Sequence, residues 1–172
     1  MQLSKITRVT AFAALVFAAA GAMPANAKSL FGGTIPEGAV ATDPVQVYRT
    51  YAGKTADWGR GSYAYWGTDQ SFIAVNQADS SIAVGEWYVT SASRMCFEAK
   101  WYWRQDFGVE SDTLVTCTHY RTDENGEVWS ASNLRGPWFP FSDDNIRNGD
   151  RVTRKFNAMV KELGIAGTLG AN

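Results

Sequence analysis

The sequence predicts a mainly β chain: a small antiparallel barrel or curved sheet with a short N-terminal helix and a C-terminal amphipathic helix. Three observations lead there. Between Lys54 and Phe141, short runs rich in Trp, Tyr, Val and Thr alternate with turn signals. No helical crossover separates the runs, so antiparallel pairing is the natural connection. A helical pattern flanks the β region on each side.

The elements follow in order. Lys5 and Arg8 precede an apolar run from Ala11 to Met23, then Pro24 and Ala25-Asn26-Ala27. This is the pattern of a signal peptide spanning residues 1–27 and cut after Ala27. The run is too short to span a bilayer, which takes about 20 apolar residues. The chain is therefore expected to be periplasmic or secreted, with no transmembrane segment. Residues 28–42, punctuated by Gly and Pro, read as a flexible arm. Residues 43–164 form a single β-rich domain, and the glycine-rich 165–172 a flexible tail.

Asp43-Pro44 supplies an N-cap acceptor followed by proline at the first helical position. Val45, Tyr48 and Tyr51 or Ala52 follow at helical spacing, and Gly53 can close the last turn. Seven strands come next: Thr55–Trp58, Ser62–Trp66, Ser71–Val75, Ser81–Thr90, Arg94–Trp103, Thr113–Thr122 and Glu127–Leu134. Asn125-Gly126 between two β-branched runs is the strongest hairpin signal. Asp150 then caps a helix with Val152, Phe156, Met159, Val160 and Leu163 on one stripe, ended by Gly164.

Cys96 and Cys117 are the two cysteines of the chain. In an oxidising compartment they are expected to pair, a link worth roughly 3 kcal/mol by loop-closure entropy. Alternation places Met95, Phe97, Ala99, Trp101 and Trp103 on a core face and Cys96 on a wetter one. With Cys96 opposite Cys117, Glu98 faces Val115 and Lys100 faces Thr113. Residues 104–110 become the connecting loop.

The net charge is −1, and the leader holds two of the basic residues, so the exported part is more acidic. Nucleic acid and anionic membrane, which need a basic face, are poor partners. One His and no CxxC leave no metal site, and no cofactor motif is present. Gly53-Lys54-Thr55 lacks the preceding glycine of a phosphate loop and reads as a helix cap entering a strand.

The aromatic complement is large: seven Trp, seven Tyr and nine Phe. Trp58, Trp66, Trp87, Trp101 and Trp103 are candidate ligand-binding residues, with Arg60, Arg94 and Arg121 as polar anchors. Trp138, Phe139 and Phe141, set between prolines, either plug one end of the barrel or form a partner patch. The leading reading is a monomeric, non-catalytic envelope protein that binds a small apolar or glycan ligand, or an envelope protein. No residue is assigned a catalytic role. One alternative is an inhibitor of a lysozyme-type enzyme, with residues 104–112 as the inserted loop. Another is a hydrolase using His119 with Glu98, Glu110 or Asp112.

Several motifs carry a resemblance. Val47 to Thr55 (VYRTYAGKT), Trp58-Gly59, Gly85 to Val89 (GEWYV), Arg94 to Phe97 (RMCF), Trp101 and Cys117 resemble a family of small secreted bacterial proteins, domain of unknown function 995. The resemblance runs from about Pro44 to Phe141. It implies export, the disulfide and a β-rich fold, and assigns no functional residues. A Gly-x-Trp strand ahead of a cysteine is also similar to what occurs in several calycin/lipocalin-like folds.

Overall fold

A computed structural model describes residues 32–169; the signal-peptide expectation lies outside them. The short helix α1 (Pro44–Tyr51) forms as expected, with the Asp43 carboxylate accepting from the Val45 N–H. Val47 and Tyr51 are its buried residues, while Val45 is half exposed. The expected stripe holds at Tyr51 and at Tyr48, which stacks on Trp87, while Val47 takes the buried place expected for Val45.

A run of antiparallel strands follows: β2 (Lys54–Gly59), β3 (Ser62–Trp66), β4 (Ser71–Asn76), β5 (Ser81–Val89), β6 (Arg94–Gln105), β7 (Gly108–Thr122) and β8 (Val128–Ala131). Three short strands escaped the sequence reading: β1 (Val40–Ala41), β9 (Phe139–Pro140) and β10 (Ile146–Asn148). Together they make one sheet in the order β10-β2-β3-β4-β5-β6-β7-β8-β9, with β1 against β7.

The curved-sheet expectation holds, and the closed barrel does not form. The end strands β9 and β10 are not paired with each other. Residues 141–145 carry the chain from one to the other. Phe141 N–H donates to the Val128 carbonyl, and Asp57 N–H to the Asn145 carbonyl, so this segment touches both sheet ends. The sheet curls toward itself and leaves a seam.

The β6–β7 register is the one read from the cysteines: Cys96 opposes Cys117, Glu98 opposes Val115 and Lys100 opposes Thr113. The two sulfur atoms lie at disulfide distance. The connection is tighter than expected, because pairing continues to Gln105 and Gly108. Asp106 and Phe107 alone turn the chain, with Phe107 fully exposed. Between Val109 and Thr118 the outer edge of β7 pairs with no other described strand. The Asp112 carboxylate accepts from the Thr113 N–H and so covers one open donor of that edge.

Asn125-Gly126 turns β7 into β8, with Thr122 opposite Val128. The Asp123 carboxylate accepts from the Asn125 and Glu127 N–H groups and organises the turn.

The inner face of the sheet carries Trp66, Phe72, Trp87, Met95, Phe97 and Ala99, packed with α1. The outer face is not uniformly wet, contrary to the expectation for Cys96. The helix α2 (Thr153–Leu163) covers part of it, against Val75, Ile82 and Tyr102. All five residues of its expected stripe are buried, and so is Cys96. Burial on both faces offsets more entropy than a one-sided sheet could.

Both ends of the described residues pack on the sheet or its covering helix. In the expected arm, Gly33 bridges Trp138 and β1 pairs with β7. In the expected tail, Ile165 is buried and Ala166–Leu169 forms a short helix, α3.

Candidate functional site

The seam holds the most distinctive cavity, about 310 Å³ in volume. One wall comes from the β2 end of the sheet: Ala56 and Trp58, with Ile146 of β10. The opposite wall comes from β6 and β7: Met95, Phe97, Thr116 and Thr118. Ser142, Asn145 and Phe141 from the bridging segment close one side, and Tyr51 and Trp66 lie behind. The pairs Phe97–Thr116 and Met95–Thr118 are cross-strand neighbours, so the β6–β7 register sets this wall.

Ring faces dominate the cavity. Phe97 stacks on Phe72 with centroids 4.4 Å apart, and Trp58 lies over Phe97 at 6.4 Å. Trp58 also meets Trp66 edge-on at 6.1 Å. Trp66 is buried, and its indole N–H is the one buried side-chain polar group among the described residues without a hydrogen-bond partner. Trp58 is 42% exposed. Among the described residues, no Asp, Glu, Lys, Arg or His lines the cavity.

Tyr51 and Phe141 separate it from a second cavity of about 230 Å³, bounded also by Gln46, Thr50, Tyr120 and Asp143. The Tyr51 and Tyr120 hydroxyls are hydrogen-bonded to each other, clamping α1 to β7. Burial is the main cause that pushes the Tyr51 phenol up to about 12, and the nearby Asp143 charge adds to it. Burial, with the neighbouring Tyr51, pushes Tyr120 up as well. Both stay neutral at physiological pH.

This pair predicts an alkaline response. Above pH 10 the unfolded chain releases the Tyr51 proton that the folded chain keeps to about 12. Stability is therefore complete below pH 10 and falls as pH climbs through that window. Tyr51→Phe should lower stability near pH 8 by about 1–2 kcal/mol, since it leaves a buried hydroxyl poorly partnered. It should also flatten the loss above pH 10. Urea midpoints across the range test this, and parallel profiles for the two proteins would refute it.

The sequence-derived candidates divide. Trp58, Trp66 and Phe141 meet at the seam cavity. Trp87 is fully buried, and its indole N–H donates to the Gly67 carbonyl at 2.8 Å. Trp101 and Trp103 are half-buried on the inner face opposite Asp112 and Glu110, nearer the β6–β7 turn. Arg94 and Arg121 share the outer face with His119, so the sheet separates them from the rings; Arg60 sits in the β2–β3 turn. Trp138 is buried, and Phe139 is 40% exposed on β9.

Residues 104–112, expected as an inserted loop, are mostly paired strand, with the exposed Phe107 at the tip of the hairpin. His119 has no carboxylate beside it. Val115, opposite Glu98, lies four residues along β7, about 13 Å away, and Asp112 and Glu110 are farther and on the other face. Burial first, then the charges of Arg94 and Arg121, hold the His119 pKa below its ordinary value.

Tyr51, Met95, Phe97, Thr116, Thr118, Ser142 and Asn145 were not among the candidates. Thr116 and Thr118 could have been placed beside Phe97 and Met95 from the cysteine register. Nothing local in the sequence marks Tyr51, Ser142 or Asn145. Among the described residues, no cluster of three or more His, Cys, Asp or Glu is placed to hold a metal ion. No described helix is long and apolar enough to cross a membrane.

No curated protein and no solved structure matches the chain. A family model described as "Protein of unknown function (DUF995)" matches residues 12–160, most of the sequence and all of the strands that build the seam. The chain belongs to the DUF995 family.

Proposed function

We propose that this is an exported, non-catalytic binding protein of the cell envelope that takes a small neutral ligand into the seam. The observation that carries the reading is the cavity of about 310 Å³ walled by aromatic faces and free of charged side chains. Its volume is at the lower end of small-molecule sites, about 300–1,000 Å³. A charged ligand would lose its hydration with no counter-ion in the wall, at a cost of several kcal/mol. A neutral one loses little and gains ring contact. Export rests on the leader-like residues 1–27 and suits a disulfide-stapled fold.

Trp58 offers the sharpest test because its exposure separates binding from folding. Trp58→Ala should weaken binding of the neutral apolar fluorophore N-phenyl-1-naphthylamine about ten-fold or more, as stacking on one ring is worth ~1–2 kcal/mol. The thermal midpoint should move by only a few degrees. Fluorescence titration and thermal scans of both proteins measure this. If the native protein binds no neutral probe, or Trp58→Ala binds it equally well, the reading fails. Native mass spectrometry of periplasmic material should show a small neutral mass retained by the native protein and lost from the variant.

A further inference from the structure

The unpartnered Trp66 N–H narrows the ligand class. A buried donor without an acceptor is costly, and native proteins rarely leave one unanswered. Here the donor belongs to a side chain that lines the seam cavity. The same cavity has hydroxyl or amide groups at Thr116, Thr118, Ser142 and Asn145. Ser142 Oγ is bonded to Asp144, and Asn145 Nδ2 to the Asp57 carbonyl. That leaves the two threonine hydroxyls and the Asn145 side-chain carbonyl as the polar lining, a set that suits a neutral ligand with polar groups better than a hydrocarbon. Trp58, 42% exposed, offers an indole face that suits the C–H face of a sugar ring. Met95 and Phe97 supply an apolar lining close by.

We infer that the seam cavity binds a neutral 2-acetamido sugar, with the acetamido carbonyl accepting from Trp66 Nε1 and the acetamido methyl resting among the apolar walls. This rests on the binding reading above and goes further by assigning a specificity-determining residue. A hexose hydroxyl can also accept from Trp66 Nε1, but it is a weaker acceptor than an amide carbonyl and brings no methyl group to the apolar walls. The indole N–H is covered in the free protein, so its neighbours shift to admit the carbonyl. The half-exposed Trp58, packed edge-on against Trp66, is the side chain best placed to move.

Chitotriose and cellotriose form a matched pair of probes: the same linkage and ring, with an acetamido group in one where the other has a hydroxyl. The native protein should bind chitotriose about ten-fold tighter than cellotriose, the worth of one well-placed hydrogen bond in a dry site. Trp66→Phe keeps a ring and removes the N–H, so it should bring the ratio close to one. Calorimetry on the full exported chain measures both affinities, and the native-protein ratio stands even if the variant folds poorly. Equal binding of the two sugars by the native protein overturns the inference. A ratio that survives Trp66→Phe overturns the assignment to Trp66. If neither sugar binds while N-phenyl-1-naphthylamine does, the sugar class is wrong and the neutral-ligand reading stands. If none of the three binds, both fall.

Discussion

Gly85→Ala is expected to destabilise the protein by about 3 kcal/mol, at the upper end of overpacking costs. Gly85 lies mid-strand in β5, between Phe72 of β4 and Ala99 of β6. A methyl group there would lie 2.0 Å from the Glu98 carbonyl oxygen and 2.6 Å from the Ala99 Cα. Both are backbone atoms of the neighbouring strand, so no side-chain rotation relieves the clash. The β5–β6 pair would have to part in the middle of the sheet, beside the stacked Phe72 and Phe97. Gly33→Ala is the control: its added methyl meets nothing within 4 Å, and its cost should stay below about 0.5 kcal/mol. Urea unfolding of the two variants and the native protein measures the difference. A loss under about 1 kcal/mol for Gly85→Ala would show that the strands yield more easily than this packing allows.

That glycine illustrates what the sequence made legible. Gly85 was visible as part of a Gly-x-Trp motif, but the reason for it was not, because the atoms that exclude a side chain belong to another strand. Strand positions were legible because aromatic and β-branched runs were cut by clear turns. The β6–β7 register was legible because two cysteines and a period of two leave one solution. The same alternation placed Arg94 with Cys96 and Arg121 with Cys117, on the face opposite Met95 and Phe97. Followed through, it would have withdrawn both arginines from the ring-lined site.

The seam was not legible. Strands of two or three residues such as β9 and β10 have no period to detect, and β10 exists only because residues 141–145 reach across to β2. The outer face misled for a related reason. Cys96 and Tyr102 alternate with Glu98 and Lys100, which reads as solvent. Tyr102 is nevertheless buried with α2, and α2 comes from fifty residues further along the chain. Tertiary cover overrode the local pattern.

Trp87→Ala should have the largest effect of any single change, about 4 kcal/mol, as is typical of truncating a fully buried Trp. Its indole fills the inner face at zero exposure. Its N–H holds the Gly67 carbonyl in the β3–β4 turn, and its ring stacks on Tyr48 of α1 with centroids 5.2 Å apart. One side chain thus joins β5, a turn and the helix that carries Tyr51 into the cavity wall. Trp87→Phe separates the roles. It keeps most of the ring and drops the donor, so it should cost less, about 1–3 kcal/mol. Because α1 is held by Trp87 on one side and by the Tyr51–Tyr120 hydroxyls on the other, Trp87→Ala should also loosen the helix before the sheet unfolds. Hydrogen exchange should then show the amides of residues 47–51 losing protection ahead of those in β6. Equal protection losses in α1 and β6 would mean that the helix and the sheet open as one unit, and that Trp87 stabilises the whole fold without selectively positioning the cavity wall.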